Sequence, residues 1–161
     1  VANFYYVKEG GTATGDAGRV ATTKSTGSFA AKGAANYYDD IDNALGATTA
    51  PAAGDYILVS NSSTNTESTV ISNYDIPDGV QVISVDDSNC DQYASGATVD
   101  NTSAGADDEI NVGSTADGWA VVKGLNFVTN ESLGIEVRQA FTMLLEDCSV
   151  DKNHVSGPAV T

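Results

Sequence analysis

The sequence predicts an all-β chain wound into a short stack of coils. Three observations point there. Residues 121–130 and 144–153 match at a shift of 23: two aliphatics, a charge, a turn-former, a buried-type residue, a small polar residue, a hydrophobe, and finally Asn over Asn. Gly134 and Gly157 match at the same shift. A repeat of this size means supersecondary units that bury their inner faces on their neighbours. The third observation is a series of short β-branched and aromatic runs separated by Gly, Asp and Pro turn signals.

Asn3, Phe4, Tyr5, Tyr6 and Val7 read as a first strand, ended by Gly10 and Gly11. Residues 12–33 are Gly, Ala, Thr and Ser with Val20 and Phe29 as the large apolar exceptions. Such a stretch buries little by itself and is expected as an extended arm that lies on the body or on a partner. Residues 36–46 are the best helix candidate. Asn36 serves as N-cap, the acids Asp39, Asp40 and Asp42 favour the positive helix end, Tyr37, Ile41 and Leu45 form one apolar stripe, and Gly46 caps the C-terminus. The predicted organisation is therefore 1–35 as strand plus arm and 36–161 as the coiled body, with 36–46 as its capping helix.

Asp55 to Val59 is nearly continuously apolar, as in a strand covered on both faces. Thr69, Val70 and Ile71 form a further short strand, residues 76–79 a Pro-containing turn, and residues 80–85 an alternating strand. Residues 86–108 break the period and read as an excursion carrying one short strand near Ala97, Thr98 and Val99. The residues around Ile110 and Ile135 return to the stack. In the matched coils Val122, Leu125, Phe127, Leu145, Cys148 and Val150 are expected to point inward. Asn130 and Asn153 are expected to stack as an amide ladder, and Trp119 to be core.

The chain has 161 residues and a formal net charge of -15. That excludes a phosphate-backbone binder, which needs clustered Lys and Arg, and disfavours an anionic membrane surface. Its two cysteines, Cys90 and Cys148, do not form a disulfide framework, and their pairing is left open. No signal-peptide pattern and no long apolar run are present, so no membrane crossing is expected.

Candidate carboxylates for acid–base work are Asp86, Asp87, Asp107, Asp108, Glu109, Glu136, Glu146, Asp147 and Asp151. None has a diagnostic spacing, and consecutive Glu146 and Asp147 point to opposite faces if they lie on a strand. The oxygen-rich runs 86–89 and 107–109 suit Ca²⁺ by ligand type but lack its loop spacing. His154 is the single histidine and has no companion ligand, which disfavours zinc and any serine triad. The sequons at Asn61, Asn101 and Asn130 are read as chance matches. The expectation is a protein that is not an enzyme, with no catalytic residue, no cofactor and no metal.

Phe4 to Val7, the Gly-rich loop, the stretch from Tyr37 to Leu45, the run from Gly54 to Val59, Asp78-Gly79-Val80, and the segments Val122-Lys123-Gly124-Leu125 and Glu146-Asp147-Cys148 together form a pattern that resembles the right-handed parallel β-helix superfamily, the pectate-lyase-like fold. The resemblance covers most of the chain and implies a short all-β right-handed parallel β-helix, a solenoid closed by a small N-terminal capping helix. The opening from Ala2 to Lys8 is also similar to openings of virion structural proteins of tailed phages. Phage tailspikes of this fold are usually several times longer. What the resemblance implies is a non-enzymatic virion component, a capsid decoration or cement protein on the outer surface of the particle. The alternative is a tail fibre or tailspike that grips or depolymerises carbohydrate, with Trp119, Tyr74 and Tyr93 as its available aromatics; a secreted bacterial surface protein is a third. Its partners would be other virion subunits, the major capsid protein or tail proteins, with self-association most simply as a homotrimer and no nucleic acid or membrane. Arg19, Lys24, Phe29 and Lys32 of the arm and Val155 and Val160 near the end are the expected partner-binding residues.

Overall fold

In the computed structural model, which describes residues 1–66, 76–100, 118–129 and 142–152, the strands fall into two sheets. The larger has the order β2 (Arg19–Ala21), β1 (Asn3–Val7), β3 (Tyr56–Ser60), β5 (Gln81–Val85), β7 (Trp119–Lys123), β9 (Thr142–Glu146). The smaller has the order β10 (Ser149–Lys152), β8 (Leu125–Thr129), β6 (Ala97–Asp100), β4 (Thr64–Thr66). From β3 onward successive strands belong alternately to the two sheets. β1 and β2 run antiparallel; the other strand pairs are parallel.

The inner faces of both sheets share one apolar core. Tyr5, Val7, Ile57, Val59, Val82, Ala120 and Val122 enter it from the larger sheet, and Ala97, Val99, Leu125 and Phe127 from the smaller. The alternation read from the sequence therefore selects the correct inward set: Val122, Leu125 and Phe127 are buried, and Leu145, Cys148 and Val150 pack against the same core. The repeat is also the pairing register. Trp119 faces Thr142, Lys123 faces Glu146, and Ser149 to Lys152 face Asn126 to Thr129, each across 23 residues. Its turn-former position is equally consistent: Gly124 and Asp147 both adopt positive φ, +76° and +52°, where glycine is unstrained and Asp is among the better tolerated side chains.

The expected all-β right-handed parallel β-helix with capping helix and extended N-terminal arm is corrected by three findings. The larger sheet is mixed, because β2 folds back antiparallel on β1, pairing Asn3 with Ala21 and Tyr5 with Arg19. The arm is not extended: it contains β2 and a helical turn, α1 (Phe29–Lys32), whose Ser28 N-cap accepts from Ala31 N and whose Phe29 is fully buried. The helix expected over 36–46 is only α2 (Ile41–Leu45), capped by Asp40, whose side chain accepts from Asn43 N at 2.6 Å. Asn36 instead ends a 3₁₀ turn, and Tyr37 and Tyr38 are extended, with Tyr38 bridging to Val7. Backbone pairing wins here: Tyr38 N donates to Tyr6 O at 2.8 Å and Lys8 N to Tyr38 O at 2.9 Å, so the residue next to Tyr37 is recruited by β1 and holds this part of the predicted helix extended. What remains is one mixed and one parallel sheet around a shared core, with short helices beside β1 and β3.

The irregular stretch after residue 85 returns as β6, held by Ala97 N donating to the buried Ser84 Oγ at 3.2 Å. Trp119 is a further correction: it is 45 % exposed, because it points away from the core on the outer face of β7. The strand expected at Thr69 to Ile71, the segments around Ile110 and Ile135, and the Asn130–Asn153 ladder lie outside the described residues.

Candidate functional site: the outer face and the end strands

The outer face of the larger sheet is mostly apolar, interrupted by Gln81 and ended in one row by the Lys123–Glu146 ion pair. One register row runs Phe4, Tyr56, Gln81, Val121, Leu144, and the next runs Tyr6, Leu58, Ile83, Lys123, Glu146. The arm covers the first half. Tyr6, Leu58, Val85, Cys90, Phe29 and Tyr37 form a second buried cluster, with Phe29 edge-on to Tyr6 and Tyr37 at 6.1 and 5.6 Å. Phe4 and Tyr56 stack at 5.3 Å at the margin of this cover. Beyond it Trp119 and Leu144, 45 and 53 % exposed, stand on β7 and β9.

The arm residues expected to bind a partner are engaged within the chain. Arg19 reaches Asn3 Oδ1 at 2.8 Å and Asp16 at 3.2 Å. Lys24 donates to Asp91 O at 2.7 Å and lies 3.5 Å from the Asp91 carboxylate. The Lys32 ammonium sits 3.6 Å above the Tyr6 ring, and burial pushes its pKa down. Phe29 is sealed in the second cluster. Val155 and Val160 lie outside the described residues.

The described carboxylates hold the chain together. Asp87 accepts from Lys8 Nζ and Ser60 Oγ, both at 2.6 Å, and its own N–H donates to Asn61 Oδ1. Burial alone would raise its pKa, but the bonds from Lys8 and Ser60, the Lys8 charge and Ser62 outweigh that and leave it lowered. Asp86 accepts from the Ser88 hydroxyl and backbone and from Asn89 N, which lowers its pKa in the same direction. The pair read as a possible oxygen-rich metal run is thus an ion-paired fastener beside an Asx turn. Glu146 takes the Lys123 ammonium at 2.7 Å, and Asp147 takes the Tyr93 hydroxyl at 3.0 Å. Lys123 also lies 4.6 Å from the centre of the Tyr93 ring, whose hydroxyl is pushed up in pKa by desolvation and by Asp147. Glu146 and Asp147 are therefore a strand end and a turn with separate partners. Asp151 is exposed on β10. Asp107, Asp108, Glu109, Glu136, Tyr74 and His154 lie outside the described residues. Among the described residues no group of three or more His, Cys, Asp or Glu could hold a metal ion, and no helix is long and apolar enough to cross a membrane. Cys90 and Cys148 are both free thiols with pKa values raised by burial.

Sequence reasoning missed Asp55. It is 3 % exposed and accepts from Asn3 N at 2.7 Å, Asn3 Nδ2 and Ala52 N, tying the first strand to the start of β3. Its place directly before a strand covered on both faces was the available signal, since an acid there needs backbone donors.

The β9 and β10 ends of the two sheets are different in kind. Ala120, Val122, Leu125 and Phe127 are at most 6 % exposed, whereas the equivalent inward residues of the last pair of strands, Met143, Leu145, Cys148 and Val150, are only partly buried. β9 and β10 are the edge strands of their sheets among the described residues. No protein-family model, no curated protein and no solved structure matches the chain.

Proposed function

We propose that the chain is a non-enzymatic structural subunit of a tailed-phage virion, a decoration or cement protein on the outer surface of the head, assembling with other virion subunits and with its own copies. The observation that carries the assembling role is the half-buried end layer. Met143, Leu145, Cys148 and Val150 are built as core residues and sit on two strand edges whose N–H and C=O groups invite further pairing. A subunit that completes this layer against a neighbour removes both the apolar exposure and the open edges. The virion assignment itself rests on the similarity of the opening residues to phage structural proteins. Labelling intact particles with an antibody to the chain, viewed by negative stain, tests it: decoration of the head surface is expected, and absence of the chain from purified particles overturns it.

The tail fibre or tailspike reading is favoured by one feature, the exposed Tyr93 bonded to Asp147, with the exposed Trp119 at the other end of β7. It requires turnover or binding of an oligosaccharide, and label at the tail rather than the head.

A further inference from the structure

We infer that the uncovered half of the larger sheet's outer face, around Trp119, Val121 and Leu144, docks a segment of a different protein that carries an apolar anchor flanked by lysine or arginine. This surface is separate from the end layer, and the inference does not depend on the virion reading.

The molecule itself shows what fits this face. Over β1, β3 and β5 the same sheet is covered by the chain's own arm, which supplies one large apolar anchor, Phe29, and two lysines. One lysine lies over an aromatic ring and the other against a carboxylate. The cover stops at Phe4, Tyr56 and Ile83, leaving a groove of about 290 Å³ that those side chains line with Leu58 and Lys24. Past this margin one row continues through Gln81 to Val121 and Leu144 and the other ends in Lys123 and Glu146, without a cover among the described residues. Among the described residues Trp119 and Leu144 are the most exposed large apolar side chains apart from Val1.

Charge selects the occupant. The exposed Asp78 accepts from Trp119 N at 2.8 Å, and Glu146 and Asp147 close the other side of the strip, with Lys123 as the local counter-cation. A second copy would bring the same carboxylates and a net charge of -15 to the contact, so like charges oppose self-docking here. A basic, apolar-anchored segment removes the apolar exposure and meets the carboxylates in one step.

Trp119 is the only tryptophan in the chain and lies in the strip, so its emission reports occupancy. The probe is a synthetic peptide of alternating Leu and Lys. The controls are an alternating Leu and Glu peptide of equal length, oligolysine, and a neutral oligosaccharide. The expected result is a saturable blue shift with the Leu/Lys peptide alone, weakened about tenfold in Leu144→Ser. That variant leaves the charge unchanged and alters a side chain already half in solvent, and its far-UV circular dichroism should match the parent. Equal affinity for Leu144→Ser, or the same shift with oligolysine, means that charge alone binds and overturns the inference. A shift with the oligosaccharide but not the peptide makes the face a sugar platform and also overturns it. A blue shift that grows with protein concentration alone assigns the face to a second copy, with the same consequence.

Discussion

Asp87 gathers a lysine, a buried serine hydroxyl and, through its own N–H, an asparagine side chain, and it sits where the arm meets the body: Phe29 N donates to Asp87 O at 3.0 Å. Its lowered folded-state pKa has a definite consequence for stability. A carboxylate whose pKa falls on folding contributes stability that is present above the unfolded value, about 3.9, and is lost as pH falls through the folded value. Asp16, held by the Thr49 backbone and hydroxyl, and Asp86, held by Ser88, act in the same direction. Asp40 acts oppositely, since burial raises its pKa and its protonation favours the folded form. Asp87, Asp16 and Asp86 therefore each contribute a loss of stability in acid, and Asp40 a gain. In Asp87→Asn the melting temperature should be lower at neutral pH, and the fall in acid should be shallower than in the parent. A parallel pair of melting curves across pH 2–7 would show that Asp87 is not a coupled group.

At the scale of elements, the short helices and the arm matter through what they bury. Ile41 is 3 % exposed and, with Ile76, Val82, Val99, Val122, Leu125 and Phe127, lines a gap of about 10 Å³, too tight and too apolar to hydrate a charge. Ile41→Asp should therefore destabilise by more than about 3 kcal/mol, read by denaturant unfolding; a loss under about 1 kcal/mol would remove α2 from the core. Phe29→Ala empties the arm's anchor among Tyr6 and Tyr37 and should cost about 3–5 kcal/mol. Rapid proteolysis near residues 22–33 should accompany it while the two-sheet core persists. If the arm stays as resistant as in the parent, Phe29 is not what holds it. Much of this was legible. The 23-residue shift carried the register of two strand pairs, and alternation carried the inward set. The arm was not legible, because its only large apolar residues, Val20 and Phe29, are far apart and nothing in a Gly/Ala/Thr stretch says which surface they will find. The helix was over-extended for a related reason: Tyr37 fits a helical stripe as well as it fits an extended segment, and the pairing of its neighbour Tyr38 with Tyr6 that decides between them is non-local.

For the molecule as a whole, charge and the end layer dominate. The cations Lys8, Arg19, Lys24 and Lys123 already lie against carboxylates, so much of the acidic excess has no internal partner. Screening should relieve more repulsion than it weakens in those partly exposed pairs. The melting temperature is expected to rise as sodium chloride goes from about 0.01 to 1 M, across which the Debye length shrinks from about 30 to 3 Å. A fall would mean that the ion pairs outweigh the repulsion. The site was legible only in outline. The sequence marked Leu145, Cys148 and Val150 as inward, but that their layer is left half covered depends on nothing stacking beyond β9 and β10 among the described residues, which no local pattern encodes.

The central claim is that this layer is completed by another chain, and light scattering over a range of protein concentrations tests it most directly. The wild-type chain should scatter as an oligomer, most simply a trimer. Leu145→Lys, which places a charge in the half-covered end layer and leaves the fully buried residues of β7 and β8 unsubstituted, should scatter as a folded monomer. A wild-type chain that remains a monomer at high concentration, or a Leu145→Lys variant that assembles like the parent, would contradict the account.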